Sequence, residues 1–282
     1  MYSICFVIPY FGPFPFWMEY FLESCRANPS VDFLLYTDNP KPEGLPSNIH
    51  YRPISFKAYK HKVSEGLSIG FDPDSAYKLC DIKPALGAVH REELKGYDFW
   101  GFCDLDLIFG RVRHFFNDNL LSRYDVVSTH ETRVSGHCCI LRNTPQYVFA
   151  FSKVKGWRKA FEDPFHCGFD EKCFSKLFVG LKNYPRILRA ALQYLFRPYS
   201  RKAYFVEQYS TPGLRYNWLD GSRNFPTRWF WCDGVLTNNV TDREFLYFHF
   251  LEWKRHWGGH PEHFTPPAKN WVISKEGFES SS

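Results

Sequence analysis

Two aspartates, Asp104 and Asp106, stand one residue apart in an otherwise aromatic and apolar run, FWGFCDLDLIFG, over 99–110. Residues two apart on a strand project to the same face, so the spacing predicts two carboxylates side by side with Leu105 facing away. Such a pair repels itself, and a buried carboxylate without a partner is costly. A hard divalent cation, Mn²⁺ or Mg²⁺, removes the repulsion and keeps coordination positions that diphosphate oxygens can fill. The apolar flanks fit a central strand that delivers the pair to a sheet edge. A D-x-D triplet alone is common at solvated strand ends, so its surroundings decide between a turn and a site.

Those surroundings read as alternating β and α. Strands are expected over 3–9 and 32–37, with a helix over about 16–28 between them and Asp38 and Asn39 closing the second strand. Polar residues at the carboxyl ends of parallel strands are where open α/β sheets place ligands. After a Pro-rich connection, 75–94 suggests one helix carrying Lys78, Asp81 and Lys83 near its start. The central strand 99–110 and another over 124–130 follow. From about 134 the pattern loosens, with a strand over 138–143 and a helix over 144–154 whose Pro145 suits a first turn. No repeat or linker divides the chain. The expectation is a single α/β domain over 1–282, with a mixed, mostly parallel sheet flanked by helices: a nucleotide-type part over about 1–133 and a more irregular acceptor part over about 134–275.

The order and spacing of IPYFG, YTDN, KLCDIKPALG, FCDLDLIFG, SGHCCILRN, GFDEKCF and YFHFLEWK resemble nucleotide-sugar glycosyltransferases of the GT-A (Rossmann-like) fold, in particular a bacterial group encoded with surface-polysaccharide genes. The resemblance spans roughly 4–254. It implies that Pro9, Tyr10 and Phe11 lie against the nucleoside and Asp38 against base or ribose. Lys78, Asp81 and Lys83 would lie over the nucleotide and diphosphate. Asp104 would touch ribose or metal, and Asp106 would bind the metal. His249 would add a third ligand, with Lys254, Arg255 and His256 near phosphate oxygens. His137, after Ser135 and Gly136, would meet the donor sugar. Asp170 or Glu171 would serve as general base or as stabiliser of an oxocarbenium ion, although either also suits a helix N-terminus. A metal and a lysine together neutralise the charge that builds up on a departing nucleoside diphosphate.

The implied reaction is transfer of a hexose such as galactose from a UDP-sugar to a hydroxyl of a surface glycan, whether O-antigen, capsule or lipid-linked oligosaccharide. Two other classes stay open. A nucleotidyltransferase would also use acidic metal ligands, but PYFGPFPFW has one glycine and no basic residue where a phosphate loop would be. A carbohydrate-binding protein would use the 20% aromatic content but leave Asp104, Asp106 and His249 idle.

Bulk properties narrow the setting. A net charge of +5 over 282 residues is too weak and dispersed for a nucleic-acid partner. The exception is 181–204, where six Lys and Arg with no acid accompany an apolar helical stripe; such a helix suits an anionic membrane surface or a solvated domain face. Nine cysteines, an odd number without a C-x-x-C pair, point to a reducing compartment. With no signal-like start and no long apolar run, the expected location is cytoplasmic, with peripheral contact on the inner membrane face. His137, Cys138, Cys139, His166 and Cys167 lack the spacing of a structural zinc site.

Overall fold

The computed structural model describes residues 1–179, 185, 187–188, 198–213, 216–257 and 269–280. Strand β1 (Ile4–Pro9) is apolar along its length because parallel neighbours flank it and both its faces are covered. Its side chains divide by parity. Ile4, Phe6 and Ile8 enter one core cluster, while Cys5 and Val7 enter the other. Helix α1 (Met18–Arg26) covers the first side with Met18, Phe21, Leu22 and Cys25 and leads into β2 (Val31–Thr37), parallel to β1.

The connection after β2 holds more structure than its prolines suggest. Strand β3 (Ile49–Pro53) extends the parallel set, and helix α2 (Phe56–Leu67) starts on a Ser55 cap that accepts the Ala58 N–H at 3.2 Å. The single helix expected over 75–94 is instead a chain of short turns, Ala76–Lys78, Leu79–Ile82, Lys83–Ala85 and Leu86–Val89. Pro84 supplies no N–H to a continuous helix, which accounts for the interruption.

The expected strand over 99–110 is also divided. Strand β4 (Phe99–Cys103) lies between β1 and a later strand, and Asp104 to Asp106 then form a bend. Strand β5 (Leu107–Phe109) leaves the sheet to pair elsewhere. Asp104 and Asp106 therefore do not share one face of a continuous strand, as their spacing predicts; they occupy a corner.

Strands β6 (Val126–Ser128), β7 (Cys138–Arg142) and β8 (Ala203–Phe205) complete a seven-stranded sheet among the described residues, in the order β3-β2-β1-β4-β7-β6-β8. Only β7 runs against the others. The fold is thus the expected mixed, mostly parallel α/β sheet with flanking helices. Most of the basic stretch 181–204 lies outside the described residues; its end forms the turn Pro198–Lys202 and enters β8, a strand where a helix was expected.

The irregular second half contains a second sheet. Strands β9 (Trp229–Cys232) and β10 (Val235–Asn238) join β12 (Asn270–Ser274) and β13 (Gly277–Ser280), while β11 (Tyr247–His249) pairs antiparallel with β5. Trp231 stacks on Trp271 at 3.8 Å and donates its indole N–H to the Phe109 carbonyl at 2.8 Å. Trp218, Trp229, Phe245, Phe248 and Trp253 are buried in the same cluster. Much of the aromatic excess is therefore core material joining the small sheet to β5. No helix among the described residues is long and apolar enough to cross a membrane.

Gly101 tests the central packing. A Cβ there would lie 2.6 Å from the Cys139 carbonyl oxygen and 2.7 Å from Ile140 Cγ2, whereas one at Gly70 meets nothing within 4 Å. Urea denaturation is expected to show Gly101→Ala destabilised by about 2 kcal/mol, and Gly70→Ala changed by less than about 0.5 kcal/mol.

Candidate active site

A cleft of about 500 Å³ opens beyond the carboxyl ends of β1 and β4, between the helical turns at 76–86 and the segment after β11. Pro9, Tyr10, Phe11, Lys83, Asp104, Asp106 and Lys254 all line it. Trp17, Tyr77, Cys80 and Leu251 add walls that sequence reasoning missed; single aromatic or apolar letters in turns this short carry no periodic signal.

Each aspartate of the bend has its own lysine. Lys83 Nζ lies 2.5 Å from Asp104 Oδ1 and donates to the Gly136 carbonyl at 2.7 Å. Lys83 is buried, which works against its charge, but Asp104 outweighs that effect and holds the ammonium above the ordinary lysine range. Lys254 Nζ lies 2.6 Å from Asp106 Oδ2. Burial alone would raise the Asp106 carboxyl, yet His249 and Lys254 hold it well below the usual carboxylate range. Each carboxylate is therefore compensated by its own lysine, and from a different direction.

The histidines come from the residue before β7 and the last residue of β11. His249 Nε2 lies 3.4 Å from Asp106 Oδ2 and has no hydrogen-bond partner, while Nδ1 meets Thr211 Oγ1 at 3.3 Å. His137 stacks on it with ring centres 4.1 Å apart, and its Nε2 meets Tyr247 Oη at 2.7 Å. Burial, with His249 alongside, keeps His137 well below its ordinary pKa and hence neutral. Among the described residues no group of three His, Cys, Asp or Glu side chains forms a ready metal cage. A smaller donor set does fit a cation: the orphaned imidazole nitrogen of His249 faces the charged Asp106 carboxylate, with half-buried Asp104 two residues away.

Asp170 enters on the short helical turn Phe169–Cys173. Gly136 is glycine for a steric reason, since a Cβ there would lie 2.6 Å from Asp170 Oδ2. Burial raises the Asp170 carboxyl to about 7; Lys83 opposes the rise and Glu171 adds to it. Glu171 is turned outward, accepting the Gly136 N–H at 3.3 Å and facing Arg133 Nε at 3.3 Å.

Lys78 and Asp81 do not line the cleft. They form a buried ion pair of 2.9 Å that fastens the approach to Asp170: Lys78 donates to the Ala160 and Phe165 carbonyls, and Asp81 accepts the Cys167 and Phe169 N–H groups. Asp38 is likewise occupied, accepting the Gly12 N–H at 3.2 Å and shaping the loop after β1. Arg255 is exposed and pairs with Glu252, and His256 is also exposed.

Sheet and cleft together define a Rossmann-like α/β scaffold with a charged mouth at its strand ends. The chain belongs to the family of unknown function DUF6625, whose model matches residues 6–282. Among curated proteins none matches. Similar solved structures include galactosyltransferase LgtC in complex with donor and acceptor sugar analogues, at 9% identity, 74% coverage of each chain and a TM-score of 0.36. The glycosyltransferase GlyE of Streptococcus pneumoniae TIGR4 overlaps at 12% identity, over 74% of this chain and 46% of its own, with a TM-score of 0.31. Mouse xyloside xylosyltransferase 1 overlaps at 13% identity, over 73% and 96%, with a TM-score of 0.34. Overlaps this loose carry no information about chemistry.

The buried acid gives a signed pH effect. Folded Asp170 releases its proton near 7, against 3.8 ordinarily. Between those values the native state holds a proton that the unfolded chain has lost, so this group's contribution to stability declines as pH rises through that window. Asp170→Asn removes the penalty. Thermal denaturation is expected to show the variant stabilised by on the order of 2–4 kcal/mol at about pH 8 and by little at about pH 4. An equal effect at both would remove burial of the charge as the cause.

Proposed function

We propose that the protein is a glycosyltransferase of GT-A type, taking its sugar from a nucleoside diphosphate donor. The observation that carries this reading is the convergence of Asp104, Asp106, Lys83 and Lys254 on one cleft at the carboxyl ends of parallel strands, with buried His249 behind Asp106. Pro9, Tyr10 and Phe11 supply an apolar wall of the kind a nucleoside needs, and the lysines supply positive charge for phosphates. The sequence resemblance extends the proposal to a uridine donor, a hexose such as galactose, and a surface-glycan hydroxyl as acceptor.

Asp106 and His249 would hold Mn²⁺ or Mg²⁺, with Asp104 contributing directly or through ribose. When bound, the ion would supply Lewis-acid stabilisation of the leaving diphosphate. Lys83 and Lys254 oppose the negative charge that gathers as the bond from anomeric carbon to phosphate oxygen breaks and its electron pair departs with the nucleotide. The acceptor oxygen forms the new bond to that carbon. Its proton passes to a carboxylate, for which Asp170 is poised near neutrality, with Glu171 the neighbouring alternative. His137 is buried outside the cleft lining, locked between Ser135 and Tyr247, and would act on the donor sugar only through His249, on which it stacks.

A second reading has its own support, because each carboxylate already has a lysine partner. Lysines alone could then bind the diphosphate, and no cation would be required. Calorimetry separates the two. For a metal-assisted site, Mn²⁺ is expected to tighten UDP binding by about tenfold or more, and Asp106→Asn to abolish that gain while lowering donor turnover about a hundredfold. UDP binding that is indifferent to Mn²⁺ and to chelation favours the lysine-only site. Absence of any UDP binding removes the transferase reading.

A further inference from the structure

A second cavity, of about 580 Å³, lies apart from the cleft and includes His130, Arg133, Glu207, Tyr209, Trp218 and Leu219 in its lining. We propose that this cavity seats the acceptor as a neutral saccharide unit, its ring lying on an aromatic face and its hydroxyls held by Glu207 and the basic pair. The role as acceptor rests on the transferase reading, whereas the saccharide chemistry rests on the lining of the cavity alone.

Its lining is mixed in a way that selects against other ligands. Arg133 and Glu207 both line the cavity, with His130 Nε2 3.7 Å from Glu207 Oε2, so guanidinium and carboxylate share the same wall and a strongly charged guest meets repulsion from one of them. A guest rich in hydroxyls can donate to the carboxylate and accept from the bases at once. Burial raises the Glu207 carboxyl, as expected of a poorly hydrated group that gains from further donors. Tyr209, half-buried, meets Trp218 edge-on at 6.3 Å, and exposed Leu219 adds an apolar rim for the C–H face of a sugar.

The backbone is strained at the same place. Tyr209 has φ of 60°, one of few non-glycine residues on the positive side, and its N–H donates to Glu207 Oε1 at 3.2 Å. Such a conformation costs free energy and persists where the surroundings enforce it, a pattern found at ligand-binding walls.

Two sets of polar contacts join the cavity to the residues around Asp106 and Asp170. Arg133 reaches Glu171, and the chain beyond it runs directly into Ser135, Gly136 and His137. On the other wall Glu207 and Tyr209 precede Ser210, whose carbonyl accepts the His249 N–H at 2.9 Å, and Thr211, which meets His249 Nδ1. A sugar seated there is linked through these contacts to Glu171, next to Asp170, and to His249, beside Asp106.

Saturation-transfer NMR on the full chain, with lactose, maltose and chitobiose as probes and UDP with Mn²⁺ in parallel, tests the assignment. At least one disaccharide is expected to bind in the millimolar range without being displaced by UDP. Glu207→Gln is expected to weaken it about tenfold, and Leu219→Asp, at an exposed position where folding is not at stake, several-fold. Binding of none of the probes, displacement by UDP, or binding that neither variant weakens overturns the saccharide site. Saccharide binding that responds to either variant, alongside no UDP binding, keeps the site and removes the transferase reading instead.

Discussion

The placement of Lys83 is the constraint on which the cleft depends. Its ammonium is buried beneath the corner between β4 and β5, bridging Asp104 and the Gly136 carbonyl. An unpaired ammonium at that depth would be strongly unfavourable, so the lysine, the bend and the start of β7 must form together. Because Gly136 also carries the close approach of Asp170, one cation sets the separation between an acidic corner and a protonatable acid. Removing it would leave Asp104 without its partner and lower the opposition to the rise in the Asp170 pKa.

How far the molecule was legible from its letters follows from the range of the forces involved. Strand β1, helix α1, β2 and β7 emerge from local apolar patterns, and the mostly parallel sheet follows from their alternation. The acidic pair was legible as chemistry but misplaced as geometry. Period-two reasoning assumes an unbroken strand, whereas the chain bends over 104–106 and each aspartate meets its own lysine, Lys83 or Lys254, at the one cleft. Lys78 and Asp81 show the same limit from the other side. Their spacing by three is equally consistent with a ligand-facing pair and a buried clasp, and only the backbone groups of 160–169 distinguish them.

The aromatic composition was the least legible signal. Rings that could have lined a sugar site instead pack on one another in the small sheet, with Trp231 stacked on Trp271 and anchored to Phe109. Sheet partners forty residues apart, as β9 and β12 are, leave no trace in a local window. The short strands of this half have their meaning through β11, which holds His249 against the corner.

The pairing of β5 with β11 has a consequence for the order of events during synthesis. The cleft's first wall leaves the ribosome with β1, but Asp106 must wait some 140 residues for His249 and Lys254, since the ion pair with Lys254 spans a separation of 148 positions. Until then the nascent chain carries a half-built mouth with one carboxylate uncompensated. Late closure of this kind leaves the cleft incomplete until the chain beyond position 254 has emerged, and it places a premium on whatever keeps that intermediate from aggregating.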